Sequence, residues 1–270
     1  MPPIPMPLQR KPAASDPEGQ YLITAMSLRK WYAKPNGERI DVLDNISLKI
    51  RPGTVVSVVG PSGSGKSTLL RVLAGIEEPD AGSVTYSYGS GDKTPPIPMV
   101  LQTPALLPWR TVRDNIALSL ELLGRTDRKV AAENYTTLMG LGGFADFFPK
   151  DLSGGMKARV SIGRALVAAS ELVLFDEAFT ELDEVTRQTL NDIFCKHVEE
   201  RGLAAVIVSH DIAEAVYLAD EIVVLTKRPA RIAKTFSIEL RRPRRPEIRS
   251  SSEFAEIVLP IRSFAAETWQ

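Results

Sequence analysis

The sequence predicts an α/β protein in which a mainly parallel sheet is flanked by helices, with a small antiparallel β subdomain and an inserted helical subdomain. Several short runs of apolar, often β-branched residues are typical of buried strands, and they alternate with helical patterns. A glycine-rich loop joins one such run to a helix, and polar residues directly follow two others. The middle third of the chain is mainly helical in pattern.

The N-terminal part predicts the antiparallel subdomain. Residues 1–19 contain six prolines and little that could form a core, so we expect a flexible tail there. Residues 21–26 and 41–50 are predicted to be strands around a Pro-Asn-Gly turn. Between them stand Trp31 and Tyr32. This aromatic pair either packs on the sheet or offers a stacking platform for an adenine ring.

A phosphate-binding loop follows the next strand. Residues 55–59 predict a buried strand, and residues 69–74 predict a helix that ends at Gly75. The segment between them has the spacing G-x-x-x-x-G-K-[ST] of a P-loop, whose backbone N–H groups and helix N-terminus bind phosphate oxygens. We expect Lys66 to reach the β- and γ-phosphates of a nucleotide and Ser67 to bind Mg²⁺. The predicted binding residues are Gly60, Pro61, Ser62, Gly63, Ser64, Gly65, Lys66, Ser67 and Thr68.

The helical middle of the chain begins after a short strand that ends on Gln102. Thr111 is predicted to be the N-cap of a helix that stops at Gly124, and a second helix is predicted near residues 129–139.

A third helix is predicted to begin after Ser153, its N-cap. Gly154 and Gly155 in its first turn each cost roughly 1 kcal/mol relative to Ala if they count as interior positions. We therefore expect something to approach that backbone closely. Free N–H groups at a helix N-terminus are typical of an anion site.

Two apolar strands deliver polar residues to their carboxyl ends, where ligands bind in open parallel sheets. Residues 172–175 are followed by Asp176 and Glu177. One of these carboxylates can hold Mg²⁺ and the other can orient or deprotonate a water molecule. Residues 204–208 lead to His210. A lone histidine is usually structural, but this one follows the same kind of strand as Glu177, which favours a functional role.

The C-terminal third predicts helices at residues 184–201 and 211–219, a strand at 221–225 and a last strand pair at 231–240. The four arginines within residues 241–245 predict a solvated connector, with attraction to anionic lipid as the alternative. The tail after Ser250 can form one amphipathic helix.

Composition limits the functional classes. The 270 residues are 44% apolar and 24% charged, which is ordinary for a globular protein. Because 33 basic and 33 acidic residues cancel, no overall basic field indicates nucleic acid as a partner. Cys195 is the one cysteine, which excludes an internal disulfide and is expected to pack within a helix. The sequence has no signal-peptide pattern and no run of apolar residues long enough to span a membrane, so we expect any work at a membrane to go through a partner.

Taken together, these motifs resemble the ATP-binding subunit of an ABC transporter. The resemblance extends from about Tyr21 to Arg245, and its motifs are specific in order and spacing. The motifs that carry it are residues 60–68, Gln102, residues 152–156, residues 172–177, Asp183 and His210.

The resemblance implies a role for each matching residue. Tyr32, with Trp31 as the alternative, would stack on adenine. Glu177 would be the general base, and His210 would contact the γ-phosphate. The implied Mg²⁺ site consists of Ser67, Gln102 and Asp176. Asp183 would link the two ATP sites across a dimer. The implied catalytic set consists of Glu177, His210, Lys66, Gln102 and Asp183.

The family's architecture also implies partners. In that family the P-loop of one subunit faces the signature motif of a second copy, so that two ATP molecules are enclosed in a head-to-tail dimer. Ser153, Gly154 and Gly155 would therefore bind ATP held by the partner copy. The resemblance further implies separate membrane permease subunits, an indirectly associated solute-binding protein, no nucleic acid, and a peripheral place on the cytoplasmic face of the cell membrane.

We accordingly expect a nucleotide-binding domain at residues 20–240, with a helical subdomain at 103–170 inside it, and a C-terminal extension at 241–270. The signature with Met156, together with residues 106–112 and 182–187, looks like the group that imports nitrate, sulfonates, taurine and pyrimidine-type precursors.

Three departures from the family pattern are visible, none of which removes a catalytic group. Ala178 stands where proline is usual, Lys157-Ala158-Arg159 replaces Arg-Gln-Arg, and Thr180-Glu181 precedes Leu182 where small residues are usual. Three rival functions stay open at this point. One is an ABC-type ATPase of DNA repair or translation, although such proteins carry coiled-coil insertions or two cassettes. The others are a regulatory protein that binds ATP without turnover and the ATPase of a lipid transport or export system.

Overall fold

The computed structural model describes residues 21–87, 96–169, 171–180 and 182–270. The predicted tail at residues 1–19 and much of the glycine- and proline-rich segment before residue 96 lie outside the described residues.

Strands and helices alternate through most of the chain. The strands are β1 (Ile23–Ala33), β2 (Arg39–Ile50), β3 (Val55–Val59), β4 (Ala81–Tyr86), β5 (Met99–Val100), β6 (Leu172–Asp176), β7 (Ala204–Ser209), β8 (Glu221–Leu225) and β9 (Ile232–Ser237). The helices are α1 (Lys66–Leu73), α2 (Val112–Leu122), α3 (Arg128–Leu138), α4 (Gly154–Ala168), α5 (Glu184–Arg201), α6 (Ile212–Leu218) and α7 (Ser252–Thr268).

The small sheet is antiparallel and has the strand order β2-β1-β4. Strand β1 is longer than expected, so Trp31 and Tyr32 lie inside it and pair with Asp41 and Ile40 of β2. The antiparallel subdomain is therefore as predicted, although the aromatic pair belongs to a strand rather than to the segment between strands.

The large sheet has the order β5-β6-β7-β3-β8-β9. Neighbouring strands run parallel except β9, which pairs antiparallel with β8. Strand β3 lies between β7 and β8, so the ends of β3, β6 and β7 all open toward one edge of the sheet. This order brings the polar residues that follow those strands to that edge.

The large sheet separates two apolar cores. Because side chains alternate along a strand, Val56 and Val58 of β3 pack in the core shared with α1 and the small sheet. Val55 and Val59 pack on the opposite face, in the core shared with the remaining helices. A strand buried on both faces must be apolar throughout, which explains the continuous β-branched run in the sequence.

The inserted helices lie between β5 and β6. Two of them begin at predicted caps, since Thr111 Oγ1 accepts the Asp114 N–H at 3.2 Å and Ser153 Oγ accepts the Met156 N–H at 3.3 Å. Helix α2 packs against both α3 and α4 through buried residues such as Ile116.

The C-terminal part corrects two expectations. Residues 231–240 contain one strand, β9 (Ile232–Ser237), and not a strand pair. The arginine-rich segment is solvated only in part, because Arg241 and Arg245 are exposed whereas the Arg244 side chain is fully buried. Its guanidinium group donates to the carbonyl groups of Val216 and Tyr217 at the end of α6 and to Asp220. These contacts neutralise the free carbonyls of a helix C-terminus, which gives the arginine a structural reason to be inside.

Helix α7 confirms the expected amphipathic helix. Its apolar face packs into the core beneath the large sheet through Phe254, Val258, Ile261 and Ala265. Cys195 is buried in α5, as expected of a packing residue.

Candidate active site

The P-loop connects β3 to α1 and is shaped by its glycines. Gly65 has a φ of 116°, and a Cβ built on it would lie 2.7 Å from Val42 Cγ1 of β2. A side chain at this position would therefore be strained and would also collide with β2. Gly63, at the exposed tip, has a φ of 73°. The glycine spacing of the motif thus reflects two separate backbone requirements.

Lys66 lies over this loop and is buried. Its Nζ donates to the carbonyl oxygens of Gly60 at 3.0 Å and Pro61 at 3.2 Å. Lys66 is also the first residue of α1, so its ammonium group and the positive end of that helix act on the same space. Ser62 and Gly63 are exposed at the tip, whereas Ser64 is buried. The loop therefore presents backbone N–H groups and one cation to an incoming anion.

The carboxylate of Asp176 meets the hydroxyl of Ser67. Asp176 ends β6 and is only 4% exposed, and Ser67 Oγ donates to its Oδ1 at 2.8 Å. Burial raises the pKa of Asp176, while the hydrogen bond from Ser67 partly opposes that shift. A buried carboxylate beside a hydroxyl offers the hard oxygen ligands that Mg²⁺ prefers, so these two residues fit a magnesium site.

The Glu177 carboxylate lies between a lysine ammonium group and a histidine ring. One of its carboxylate oxygens is 3.5 Å from Lys66 Nζ, and the other is 3.8 Å from Nδ1 of His210. Its φ is 49°, a left-handed value that is costly for a residue with a side chain. Such strain is typical of functional sites, and the strained Glu177 is the residue whose carboxylate approaches Lys66 of the P-loop.

Tyr32 and Trp31 differ in how free their rings are. The guanidinium carbon of Arg39 lies 3.8 Å from the centre of the Trp31 ring, so one face of that ring is covered. Tyr32 is 37% exposed, and its hydroxyl donates to Glu77 and also bonds Thr68. This bonding holds the ring beside α1. Sequence reasoning did not find Glu77, because no motif marks it and it lies 45 positions from its partner.

Among the described residues, neither Gln102 nor Asp183 forms a hydrogen bond or ion pair with Lys66, Ser67, Asp176, Glu177 or His210. Gln102 is exposed and stands two residues after β5, at the edge where β6 delivers Asp176. Asp183 is the N-cap of α5, and its Oδ1 accepts the Thr186 N–H at 3.0 Å. A hydrogen bond with the Thr186 side chain, and then the one from the Thr186 N–H, lower the pKa of the Asp183 carboxyl.

The first turn of α4 faces open space. A Cβ built on Gly154 would meet nothing within 4 Å, and one built on Gly155 would meet only Leu182 at 3.5 Å. In the part of the chain that the structure describes, no hydrogen bond or ion pair joins residues 153–155 to the P-loop. The close neighbour that the glycines require is therefore not supplied by the described residues of the same chain.

The family model described as ABC transporter matches residues 43–180, about half of the chain and the part that includes the P-loop, the first turn of α4 and the acidic pair. The chain belongs to the ABC transporter family. The predictions of this family, of its fold class and of an ABC-type ATPase are confirmed.

Relatives of this ABC protein include ATP-binding subunits of importers. It is 41% identical over 216 residues to the nitrate import ATP-binding protein NrtC of Synechococcus elongatus, covering 78% of this chain and 33% of that protein. It is 40% identical over 203 residues to the aliphatic sulfonates import ATP-binding protein SsuB 1 of Pseudomonas savastanoi pv. phaseolicola, covering 75% of this chain and 82% of that protein.

A solved ABC cassette has the same fold. The dimeric structure of the ATP-binding cassette MJ0796 in a post-hydrolysis state, bound to ADP and Pi, superposes with a TM-score of 0.71 at 28% identity. The match covers 81% of this chain and 100% of that one. Among the described residues of the ABC protein, no helix is both long and apolar enough to cross a bilayer.

Proposed function

We propose that this ABC protein is the ATPase subunit that energises import of a small solute, of the nitrate, sulfonate or taurine class, through separate membrane permease subunits. The observation that carries the proposal is the position of Glu177, within 3.8 Å of His210 and 3.5 Å of Lys66 at the phosphate-binding edge of the sheet. The solute class is supported by the importer relatives.

Each residue of the cluster has a proposed task. Lys66 and the loop amides bind the β- and γ-phosphates, and Tyr32 stacks on the adenine ring. Ser67, Gln102 and Asp176 would hold Mg²⁺, which would supply positive charge to offset the charge that develops on the phosphate oxygens. Glu177 orients the attacking water and accepts its proton, while His210 contacts the γ-phosphate. Positioning and charge neutralisation supply most of the rate in phosphoryl transfer.

A second copy of the chain completes the proposed site. The open first turn of α4, where Gly154 meets no other atom, supports a head-to-tail dimer in which Ser153, Gly154 and Gly155 approach ATP bound by the partner. Asp183 then connects the two sites. The permease subunits dock on the helical subdomain at residues 103–170, a solute-binding protein delivers the cargo to them, and the ATPase stays peripheral on the cytoplasmic face of the cell membrane.

The catalytic part of the proposal is tested with Glu177→Gln. We expect the turnover rate to fall by about 10²- to 10⁴-fold, the usual contribution of a general base, while ATP still binds. Glu184→Gln is the control, because Glu184 is exposed and its partners among the described residues are Arg187 and Gln188 of α5. Wild-type turnover by Glu177→Gln with normal nucleotide binding would refute the assignment.

The transport part is tested by recovering tagged Glu177→Gln with ATP from detergent-solubilised membranes of its native cell, followed by mass spectrometry. A multi-span permease together with a solute-binding protein supports an importer, and the same preparation without ATP is the control. Recovery with ribosomes, DNA or a lipid-handling membrane protein would overturn it in favour of the other ABC systems.

A further inference from the structure

Glu214 lies on α6, one turn after the end of β7, and no part of the site described above uses it. Its carboxylate Oε2 accepts the hydroxyl of Ser209 at 2.8 Å. Ser209 is the last residue of β7, is only 2% exposed and directly precedes His210. A half-buried carboxylate therefore touches the residue from which the His210 backbone departs.

The turn that carries His210 is fixed on both sides. Ser209 Oγ accepts the Asp211 N–H at 3.1 Å, and Asp211 Oδ1 accepts the N–H groups of Ala213 at 2.8 Å and Glu214 at 3.2 Å. The His210 side chain itself is 56% exposed and has the Glu177 carboxylate 3.8 Å away. The backbone fixes where the His210 side chain begins, and that backbone is held through Ser209 and Asp211.

Glu214 also joins this turn to a second element. Its Oε1 accepts Nδ2 of Asn191 at 3.3 Å, and Asn191 is buried in α5, the helix that Asp183 caps. Burial raises the pKa of Glu214 in spite of these two hydrogen bonds. Keeping an ionised carboxylate at this position therefore costs folding free energy. An apolar residue would pack α6 against α5 without that cost, but it would leave the Ser209 hydroxyl without this acceptor.

We propose that Glu214 is a positioning residue of the ATPase, which holds His210 in register with Glu177 by anchoring Ser209 to α5. The proposal rests on the role proposed above for His210. Glu214 lies outside residues 43–180, the region that the family model matches. Its hydrogen bonds connect α5, the helix that Asp183 caps, with the turn that carries His210.

Nuclear magnetic resonance of the imidazole rings tests the proposal directly, because the chain contains only two histidines. In Glu214→Ala we expect the His210 ring signals to shift or broaden, while those of buried His197 stay in place. Tyr217→Phe is the matched control. It removes hydrogen bonds to Asp192 and the Arg244 carbonyl from the same helix without touching Ser209. Unchanged His210 signals in Glu214→Ala would overturn the proposal.

Kinetics of the full-length chain supply the second measurement. We expect Glu214→Ala and Ser209→Ala to lower kcat about 10-fold with KM for ATP changed less than about 2-fold, and Glu214→Gln, whose amide oxygen still accepts a hydrogen bond, to restore most of the rate. In a His210→Ala background the further loss from Glu214→Ala should be less than about 2-fold, because the two residues act as a unit.

The outcomes separate this inference from the function on which it rests. An equal loss from Glu214→Ala in both backgrounds, or a loss that only follows the Tm as in Tyr217→Phe, overturns the positioning role alone. A His210→Ala variant with wild-type kcat would overturn the proposed role of His210 and this inference with it.

Discussion

The burial of the Asp176 carboxylate lowers the stability of the ligand-free protein when that carboxylate is ionised. Burial raises the pKa of its carboxyl, so the folded state binds a proton more tightly than the unfolded state does. Ionised Asp176 therefore destabilises the ligand-free fold at neutral pH, and this cost falls as the pH drops through its folded pKa.

From this we predict opposite effects of Asp176→Asn on stability and activity. The Tm of the ligand-free protein should rise by a few degrees, because a neutral amide replaces a buried charge, whereas turnover should be almost abolished. Scanning calorimetry of the ligand-free protein measures the Tm, and a phosphate-release assay with Mg-ATP measures turnover. Glu177→Gln makes the same change of charge one residue later, at a carboxylate close to Lys66 and His210, and should not raise the Tm. A lower Tm for Asp176→Asn would contradict this account.

Tyr32 and Trp31 give a second comparison at the scale of single residues. Tyr32 bonds Thr68 of the P-loop helix and Glu77 in the turn after it, whereas Arg39 covers a face of Trp31. We predict that Tyr32→Ala raises the Kd for ATP by about 10-fold, since base stacking is worth about 1–3 kcal/mol, and that Trp31→Ala changes it little. Fluorescent-nucleotide titration measures both. A larger loss with Trp31→Ala would reverse the assignment.

Residues whose partners are close in sequence were the predictable ones. The P-loop, the caps Thr111 and Ser153, and the acidic pair after β6 follow from short-range spacing, and the structure brings Ser67, Asp176, Glu177 and His210 to one edge. Glu77 was not found, because its contact with Tyr32 spans 45 positions and its type is common on surfaces. The tasks assigned to the site residues stay predictions until the variants are measured.

At the scale of elements, His197 joins the helical insertion to the core. It is buried in α5, its Nε2 lies 2.9 Å from the Tyr135 hydroxyl of α3, and its ring bonds the backbone of Leu166 in α4. Burial and then the Arg201 charge lower its pKa to about 4. The ring is therefore neutral in the folded protein at neutral pH.

We predict that this contact makes stability depend on pH. Between about pH 6.5 and pH 4 the unfolded chain binds a proton that the folded state does not, so the free energy of unfolding should fall by up to about 3 kcal/mol as the pH drops through this range. Urea unfolding at pH 7 and pH 5 measures the change. His197→Gln should make the dependence shallower, and Lys196→Gln, one residue earlier and exposed, should leave it as in the wild type. Equal slopes for His197→Gln and wild type would refute the prediction.

The arginine-rich segment shows why some elements could not be read from pattern. Charge alone favoured exposure, yet Arg244 is buried because α6 ends beside it with free carbonyls and Asp220 supplies a carboxylate. Asp220 also accepts the Val55 N–H at the start of β3, 165 positions earlier. A partner set assembled from such distant positions leaves no local signal in the sequence.

At the scale of the whole molecule, the open turn at Gly154 predicts that two inactive variants can complement each other in a mixed dimer. Gly154→Asp should fold normally, because its Cβ meets nothing in the chain, yet it places a negative charge where the partner's ATP would lie. Lys66→Ala should weaken phosphate binding. Each variant alone should be inactive, whereas a mixed dimer contains one site with both an intact P-loop and an intact α4 turn.

An equal mixture of the two variants should therefore regain up to roughly a quarter of the wild-type turnover, since half of the dimers are mixed and each has one good site. The control is a mixture of Gly154→Asp with Gly155→Asp, which damages the same turn in both copies and should stay inactive. Absence of any recovery in the first mixture would argue against a site shared between copies.

The position of β3 inside the large sheet has a consequence for how the chain folds during its synthesis. Its neighbours β7 and β8 are made about 150 residues later than β3 itself, as the span of 150 positions between Ser57 and Ile207 illustrates. At translation speeds of about 5–20 residues per second, β7 and β8 are synthesised on the order of ten seconds after β3. During this interval β3 has neither of its neighbouring strands. A nascent chain released before Ala204 would carry a complete P-loop sequence but neither of the strands that flank β3, so we expect such a truncated product not to bind ATP.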